Sequence, residues 1–347
     1  MPIEIILLCY VAIAAVTVCA MKPLLSSMII FASYGIVMSI IWILLAAPDL
    51  AITEAAVGTG ILGVLLFVVI KRIRVMEMEE EEIRKKMLES NQQTERAASK
   101  NNFFLNTISI IVCLCLTGIL LVTVIYLPPF GNPANPTNNE VFQKYIEEGI
   151  QDTGAINVVA SMILDYRAFD TFGEACVLFV AVCAVMILLR HKGPLDAFDS
   201  HLYEMNEPRQ NVILKTTSFL LVAMIMVFGC YIILNGHLSP GGGFSGGAIL
   251  GASLVLYSSA FGTTRASAFI NFRVYCRIVP ACLLFYAFAK GYSFYTGANH
   301  IPSIVPLGIP GNLLSGGLIL PLNIAVGIIV ACTVYVIFTL FSTGEFK

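Results

Sequence analysis

Apolar runs of about twenty residues recur along this chain and restrict it to one class of protein. They cover roughly residues 3–21, 24–46, 49–70, 104–127, 169–190, 212–234, 243–262, 277–296 and 314–341. Each run is long enough to cross a bilayer as a helix. Of the 347 residues, 58% are hydrophobic and only 12% are charged, about half the charged fraction of a soluble domain. The sequence therefore predicts an all-α integral membrane protein with about nine transmembrane helices.

Basic loop residues predict the orientation of these helices. The loop at 71–102 carries Lys71, Arg72, Arg74, Arg84, Lys85, Lys86, Arg96 and Lys100. Since Lys and Arg accumulate in cytoplasmic loops, this loop is expected to be cytoplasmic, which places the N-terminus outside and the C-terminus inside. The alternation then leaves only Lys144 and Arg167 in outside loops, while Lys290 lies within a span. One span more or fewer would scramble this pattern, so it also favours nine.

Two polar linkers divide the chain into modules. We predict a three-helix module at 1–70, a charged cytoplasmic linker at 71–103, a two-helix module at 104–190, a cytoplasmic linker at 191–211 and a four-helix domain at 212–347. Inside the second module, the stretch TGAINVVASMILDYRAF is too short to span a bilayer. Its apolar residues recur at helical spacing, so an amphipathic helix lying along the outside surface is expected. Asp165 and Arg167 near its end could pair with a neighbouring module or be plain surface charge.

Several functional classes find no support in the sequence. All ten cysteines lie in or beside apolar runs without a CxxC pair, which is typical of small buried hydrophobes. No zinc or iron–sulfur site and no cofactor is therefore expected. The basic residues form no patch interleaved with aromatic residues, so nucleic-acid binding is not expected either. No serine elbow or phosphate loop occurs, and the chain is not expected to hold a catalytic site of its own.

The third span, PDLAITEAAVGTGILGVLLFVVI, carries two carboxylates near one end. An ionisable side chain at a helix centre costs roughly 2.5–3.5 kcal/mol on insertion scales, so it usually has a function. Asp49 and Glu54 are five residues apart, hence about 140° apart around an ideal helix. For Asp49, capping of the helix start remains an equal alternative. For the deeper Glu54, handling of protons or cations is favoured.

A second pair of acids opens the fifth span. Asp170 and Glu174 are four residues apart and share one face of a helix. The pentapeptides at 53–57 (TEAAV) and 173–177 (GEACV) are similar, and two such helices side by side would form a carboxylate cluster. Capping is an alternative role for Asp170. Lys290, in the eighth span, either snorkels outward or pairs with an acid, with Glu54 and Glu174 as natural counter-charges.

The stretch NGHLSPGGGFSGGAILG at 235–251 predicts a broken connection between two spans. A Pro-Gly-Gly-Gly sequence cannot form a stable helix interior, and free carbonyls at a broken helix can coordinate cations. His237 beside them could bind a proton, although a tight turn with a satisfied histidine is the alternative. The glycines predicted to form the turn or a close-packing face are Gly241, Gly242, Gly243, Gly247 and Gly251.

Three motifs together resemble a known family. DLAITEAAVGTG, TGAINVVASMILDYRAFDTFGEACVLF and NGHLSPGGGFSGGAILGASLVLY are similar to small membrane subunits of Mrp-type multisubunit Na⁺/H⁺ antiporters and of membrane-bound hydrogenases. The first two resemble the C-terminal region of the large antiporter polypeptide, and the third resembles the antiporter's B-type polypeptide. The family's acidic positions map onto Glu54, Asp170 and Glu174, and its turn histidine onto His237. Where the family often has a second histidine, this chain has Asn235.

The resemblance implies a membrane subunit that contributes to Na⁺ or H⁺ translocation inside a larger complex of a prokaryotic cytoplasmic membrane. The complex is expected to be redox-driven, linked to a hydrogenase or to ferredoxin, with antiporter-like membrane subunits as partners. The residues expected to translocate ions are Asp49, Glu54, Asp170, Glu174, His237 and Lys290. The alternative is a structural scaffold that docks the antiporter-like subunits without carrying ions itself.

Overall fold

The computed structural model describes residues 2–70, 73, 96–129, 131–189 and 212–343. Most of the linker predicted at 71–103 and all of the linker predicted at 191–211 lie outside the described residues. Within them the chain is helical and contains no strand. The predicted all-α class is therefore confirmed for the described part of the chain.

Long apolar helices account for most of the described chain. The first three are α1 (Pro2–Ala20), α2 (Leu24–Leu44) and α3, which spans Pro48–Ile70 and includes a π-helical turn at Glu54–Ile61. The remaining helices are α4 (Arg96–Ile125), α5 (Glu140–Glu147), α6 (Gly149–Thr153), α7 (Val158–Ser161), α8 (Ala168–Leu189), α9 (Val212–Leu234), α10 (Gly243–Phe261), α11 (Thr263–Ala266), α12 (Phe272–Ala298) and α13 (Ile319–Thr343).

Nine helices among the described residues are long and apolar enough to cross a membrane. They are α1, α2, α3, α4, α8, α9, α10, α12 and α13, which confirms the predicted number of spans. Most bounds lie within a few residues of the prediction. Three starts differ more, because α4 begins at Arg96, α12 begins at Phe272 and α13 begins only at Ile319. Glycines at 308, 311, 316 and 317 with positive φ turn the preceding segment into a loop.

Contacts divide the chain into two compact units, Met1–Arg72 with Tyr145–Lys347, and Ile73–Lys144. In the first unit α13 is central, since 72% of its span is buried, and it packs against α8, α10 and α12. Helix α10 packs on α9 as well as on α13, and α3 packs on α2 and α10. The second unit contains α4 and a turn-rich segment in which Asn132, Asn135 and Asn138 bond to nearby backbone.

Glycines bring α10 and α13 into close contact. A Cβ at Gly247 would lie 2.5 Å from the Gly327 carbonyl oxygen, and a Cβ at Gly251 would lie 2.8 Å from Val334 Cβ. A Cβ at Gly243 would likewise collide with the Asn323 carbonyl oxygen and with Val326 Cβ of α13. Because no side chain separates the two helices here, their backbones approach as the small residues of membrane helices allow.

The segment before α8 differs from the single amphipathic surface helix that its sequence predicts. It forms α7 at Val158–Ser161, a π-helical turn at Met162–Tyr166 and then α8. Its buried residues include the small Ala155, Ala160 and Ser161, together with Leu164; Ala155, Ala160 and Leu164 lie in one core cluster with parts of α10, α12 and α13. Small side chains allow this segment to fold into the protein rather than to lie along its surface.

Candidate ion-translocation site

Asp49 lies where three segments of the chain meet. Its Oδ1 atom accepts a 2.9 Å hydrogen bond from the backbone N–H of Gly241 and a 3.1 Å bond from the Asn157 side-chain amide. The N-cap position of α3 is Ala47, so Asp49 does not cap its own helix. The structure therefore does not show Asp49 in the capping role. The carboxylate instead anchors the broken connection between α9 and α10.

Asn157 holds this meeting point together. Its amide nitrogen also lies 3.1 Å from the carbonyl oxygens of Gly236 and Ser239, so its two N–H groups are shared among three acceptors. Its Oδ1 atom caps α7 by accepting from the N–H groups of Val159 and Ala160. Its own backbone N–H donates to the His237 carbonyl oxygen at 3.1 Å. Asn157 thus bonds the turn through both its side chain and its backbone, which fixes the turn against α3 and α7.

The broken connection runs from Asn235 to Gly242, between the end of α9 and the start of α10. Gly241 and Gly242 have φ values of 138° and 139°, which side-chain-bearing residues rarely adopt. The predicted break is therefore present. The positive φ values at Gly241 and Gly242 favour glycine at both positions. Gly243 already belongs to α10.

His237 lies inside this connection and is fully buried, with 0% exposure. Neither of its ring nitrogens has a hydrogen-bond partner among the described residues. Its ring packs against Gly316, where a Cβ would lie 3.6 Å from His237 Cδ2. A buried polar group without a partner is costly, so such a group calls for an explanation such as a bound water, a bound ion or a functional role.

Asn323 of α13 faces the same connection. Its Oδ1 atom accepts a 2.8 Å hydrogen bond from the N–H of Gly243 and so caps the start of α10. Its Nδ2 atom is buried, finds no partner among the described residues and lies 3.1 Å from the position of a Cβ on Gly236. A second polar group with an unused donor therefore borders the turn.

Glu54 begins the π-helical turn of α3. Its carboxylate folds over Gly58, where a Cβ would collide with Oε1, and that oxygen lies 3.5 Å from the position of a Cβ on Gly35 of α2. The hydroxyl of Thr59, beside Gly35, is buried without a partner among the described residues. Glycines thus leave a niche for the half-buried acid, and π-helical turns often occur at functional sites.

Lys290 of α12 pairs with Asp165, at an Nζ–Oδ1 distance of 2.5 Å. The lysine side chain is only 5% exposed, whereas that of Asp165 is 35% exposed. Among the described residues, no ion pair joins Lys290 to Glu54 or Glu174, the counter-charges that seemed natural from the sequence. The two alternatives for Lys290 were outward snorkelling and pairing with an acid, and the structure contains the ion pair.

Asp170 and Glu174 lie on the exposed side of α8. Asp170 pairs with Arg167 at 2.6 Å, and both side chains are more than half exposed. No hydrogen bond or ion pair of the described residues connects Glu174 to Glu54. The third helix packs on α2 and α10, whereas α8 packs on α12 and α13. The predicted carboxylate cluster between the two helices is therefore not assembled within the described part of this chain.

Tyr166 adds a further polar contact beside Asp165. Its hydroxyl donates a 2.6 Å hydrogen bond to Asp152 Oδ2. Burial and this bond to a carboxylate raise the pKa of Tyr166, so the phenol stays neutral at physiological pH. Three consecutive residues, Asp165, Tyr166 and Arg167, thus each bond a different partner.

Sequence reasoning missed Asn157 and did not name Asp165 as the partner of Lys290. Asn157 precedes a short apolar run, and an asparagine at that place is an N-cap signal that was available. For Asp165 the sequence offered pairing with a neighbouring module or plain surface charge, and the structure contains the pairing. No three His, Cys, Asp or Glu side chains of the described ranges are grouped as a metal site would need.

Three domain families match the chain in sequence. Residues 9–75 match the MbhD family and residues 111–202 match the MbhE family, which are described as the D and E components of MBH. Residues 213–336 match the domain related to the MnhB subunit of Na⁺/H⁺ antiporter. The three matches follow one another along most of the chain.

Comparisons with individual proteins and solved structures also find similarity to antiporter polypeptides and to membrane complexes. The chain is 25% identical over 261 residues to a probable K⁺/H⁺ antiporter polypeptide of Rhizobium meliloti, of the A/B type, covering 69% of this chain and 24% of that protein. It resembles a chain of the Mrp complex from Dietzia sp. DQ12-45-1b in fold, with a TM-score of 0.66 and 21% identity over 98% of this chain and 34% of that one.

A chain of the archaeal membrane-bound sulfane sulfur reductase, described as a respiratory membrane complex, is similar over 67% of this chain and 96% of its own length. The TM-score is 0.53 and the identity is 28%. The chain spans only about a quarter of the Rhizobium antiporter relative. By these matches and its apolar helices, the chain is a multi-pass prokaryotic membrane protein in which MbhD-like, MbhE-like and MnhB-related domains follow one another, and it resembles a fused Mrp-type module.

Proposed function

We propose that this chain is a membrane subunit of a multisubunit cation/proton antiporter module and contributes to Na⁺ or H⁺ translocation within a larger complex. The residues proposed to act in translocation are Asp49, Glu54, Asp170, Glu174, His237 and Lys290. The N-terminus is proposed to lie outside and the C-terminus in the cytoplasm.

The observation that carries this proposal is the state of His237. It is fully buried, and both ring nitrogens lack partners in the described part of the chain. Next to it, Asp49 bonds the glycine turn through Oδ1 and Asn323 leaves a buried amide unused. A scaffold would gain stability from satisfied or apolar groups at these places, whereas an ion or proton path needs polar groups with free capacity.

The relatives support a multisubunit setting. The structural neighbours are chains of the Mrp complex and of a respiratory membrane complex. We therefore propose antiporter-like membrane subunits as partners and a redox-driven complex as the setting. The mildly solubilised native particle tests this: antiporter-like subunits with an iron–sulfur or nickel arm support a redox-driven pump. Antiporter-like subunits alone point to a gradient-driven exchanger, and a chain that runs alone contradicts the subunit role.

Replacement of Glu54 by glutamine tests ion translocation directly. The change removes a charge and keeps the shape of the side chain, so the complex should assemble normally. Na⁺-coupled transport in membrane vesicles should fall by about tenfold or more, since one interaction with a cation or proton is lost at an intramembrane site. Transport at the native rate would contradict the proposal.

A structural scaffold remains the second candidate, and the glycine contacts of α10 favour it. Gly243, Gly247 and Gly251 serve close packing against α13 rather than any chemistry. If packing were the whole role, Glu54→Gln would be harmless, while bulky replacements at Gly243 or Gly247 would disassemble the complex. Measuring assembly and transport on the same vesicles separates the two functions.

A further inference from the structure

The ion pair between Asp165 and Lys290 joins two parts of the chain that match different families. Asp165 lies in the region that matches MbhE, and Lys290 lies in the MnhB-related region. The two residues are 125 positions apart, and their side chains meet at 2.5 Å. The pair therefore links the second and third modules through a direct charge contact.

The two ends of this pair have different surroundings. Lys290 is almost fully buried in α12, while the Asp165 side chain is 35% exposed and lies just before the span of α8. The hydrogen bond to the lysine uses Oδ1 of Asp165. The pair thus uses one oxygen of a carboxylate whose side chain is partly exposed.

Among the described residues, no acid other than Asp165 forms an ion pair with Lys290. Helix α12 packs against α13 and α8. Residues 319–343 of α13 contain no charged side chain. On α8, Asp170 is paired with Arg167, and both Asp170 and Glu174 are exposed. Within the described residues, the charge of Lys290 therefore depends on Asp165, because a buried ammonium without a counter-ion is strongly unfavourable.

The backbone around Asp165 is also unusual. Residues Met162–Tyr166 form a π-helical turn, and the chain leaves helical geometry at Arg167, where φ is −115° and ψ is 34°. On the other side of the contact, Tyr286 lies one turn before Lys290 and donates a 2.9 Å hydrogen bond to the Ala168 carbonyl. Two bonds, separated by one turn of α12, thus hold the start of α8 and the π-helical turn against α12.

We propose that Asp165 is a positioning residue for ion translocation, which holds the buried Lys290 ammonium through Oδ1 while the Asp165 side chain stays partly exposed. A small monovalent cation bound at this carboxylate weakens the pair and leaves the lysine without a full counter-charge. Binding of an ion at Asp165 thereby changes the counter-charge of Lys290, which is buried in the MnhB-related region. This inference rests on the proposed translocation function.

The test compares variants of the full chain in its native complex, with Na⁺ uptake by inverted membrane vesicles as the readout. Asp165→Asn should weaken assembly and lower Na⁺ uptake by about tenfold or more, because it leaves a buried charge unpaired. Asp165→Glu keeps the charge and should retain assembly and most of the uptake with a changed KM for Na⁺. Tyr166→Phe, the neighbouring control in the same π-helical turn, should leave uptake within about twofold.

The double variant Asp165→Asn/Lys290→Gln separates positioning from packing. Neither side chain is then charged, so assembly should return to the native level while Na⁺ uptake stays low. Native uptake by this variant would overturn the proposal, since the pair would then serve packing alone. Failure of the variant to assemble, or an equal loss in Tyr166→Phe, would overturn it as well.

Glu54→Gln in the same vesicles distinguishes this inference from the proposed function. If Glu54→Gln abolishes uptake and the neutral double variant transports normally, only the role of Asp165 is wrong. If Glu54→Gln transports normally, the translocation function itself fails, whatever the Asp165 variants do.

Discussion

The side-chain amide of Asn157 donates a 3.1 Å hydrogen bond to the carboxylate of Asp49, a residue 108 positions earlier in the chain. Asp49 belongs to the region matching MbhD, and Asn157 to the region matching MbhE. Both contact the broken connection between α9 and α10, which lies in the MnhB-related region. All three modules of the fused chain therefore meet at one set of hydrogen bonds.

Asn157→Ala should destabilise the protein more than the loss of an ordinary helix cap. It removes the cap of α7 and the amide that bonds Asp49 and two turn carbonyls, a loss of about 3 kcal/mol. Asn271→Ala is the matched control, because Asn271 caps α12 through Val274, and it should cost about 1 kcal/mol. Thermal unfolding of the detergent-solubilised chain compares the two. Equal shifts in Tm would contradict the central role of Asn157.

Gly247→Ala should disrupt the contact between α10 and α13. The new Cβ would lie 2.5 Å from the Gly327 carbonyl oxygen, so the helices must separate, at a cost of about 1–3 kcal/mol. Gly291→Ala is the control, since a Cβ there meets nothing within 4 Å and alanine favours a helix by about 1 kcal/mol. Tm should fall for the first variant and hold or rise for the second. A stable Gly247→Ala protein would argue against the close approach.

Gly58→Ala should impair ion transport without changing any charge. A Cβ at Gly58 collides with the Glu54 carboxylate, which must leave its niche beside Gly35. Na⁺ uptake should fall by about tenfold, as expected for a misplaced functional group. Gly63→Ala, where a Cβ meets nothing within 4 Å, should transport normally. Equal uptake by both variants would show that the position of Glu54 does not matter.

His237→Phe should separate stability from function at the broken connection. Phenylalanine keeps a ring of similar shape and removes two buried nitrogens that have no partner among the described residues, so Tm should stay the same or rise. Na⁺ uptake should fall because the two ring nitrogens proposed to act in translocation are lost. Native uptake together with a raised Tm would show that His237 has no part in transport.

A reporter fused after Lys347 tests the proposed orientation. Green fluorescent protein folds into its fluorescent form in the cytoplasm, and the excess of basic residues in the 71–102 loop predicts that the C-terminus lies there. The fusion should therefore be fluorescent in whole cells. A dark C-terminal fusion with an active alkaline phosphatase fusion at the same place would reverse the orientation.

The sequence alone determined the number of spans, the all-α class and the break between α9 and α10. These properties are local: hydropathy over about twenty residues defines a span, and a Pro-Gly-Gly-Gly run interrupts a helix in any surroundings. The three motifs also sufficed to indicate the family.

Only the tertiary structure decided which polar groups meet. Lys290 pairs with Asp165 rather than with Glu54 or Glu174, and Asp49 accepts from Gly241 and Asn157 instead of capping its own helix. Such partners are far apart in sequence and are selected by the packing of α8, α10, α12 and α13. Helical spacing specifies which residues share a face, but it does not specify which other helix that face contacts.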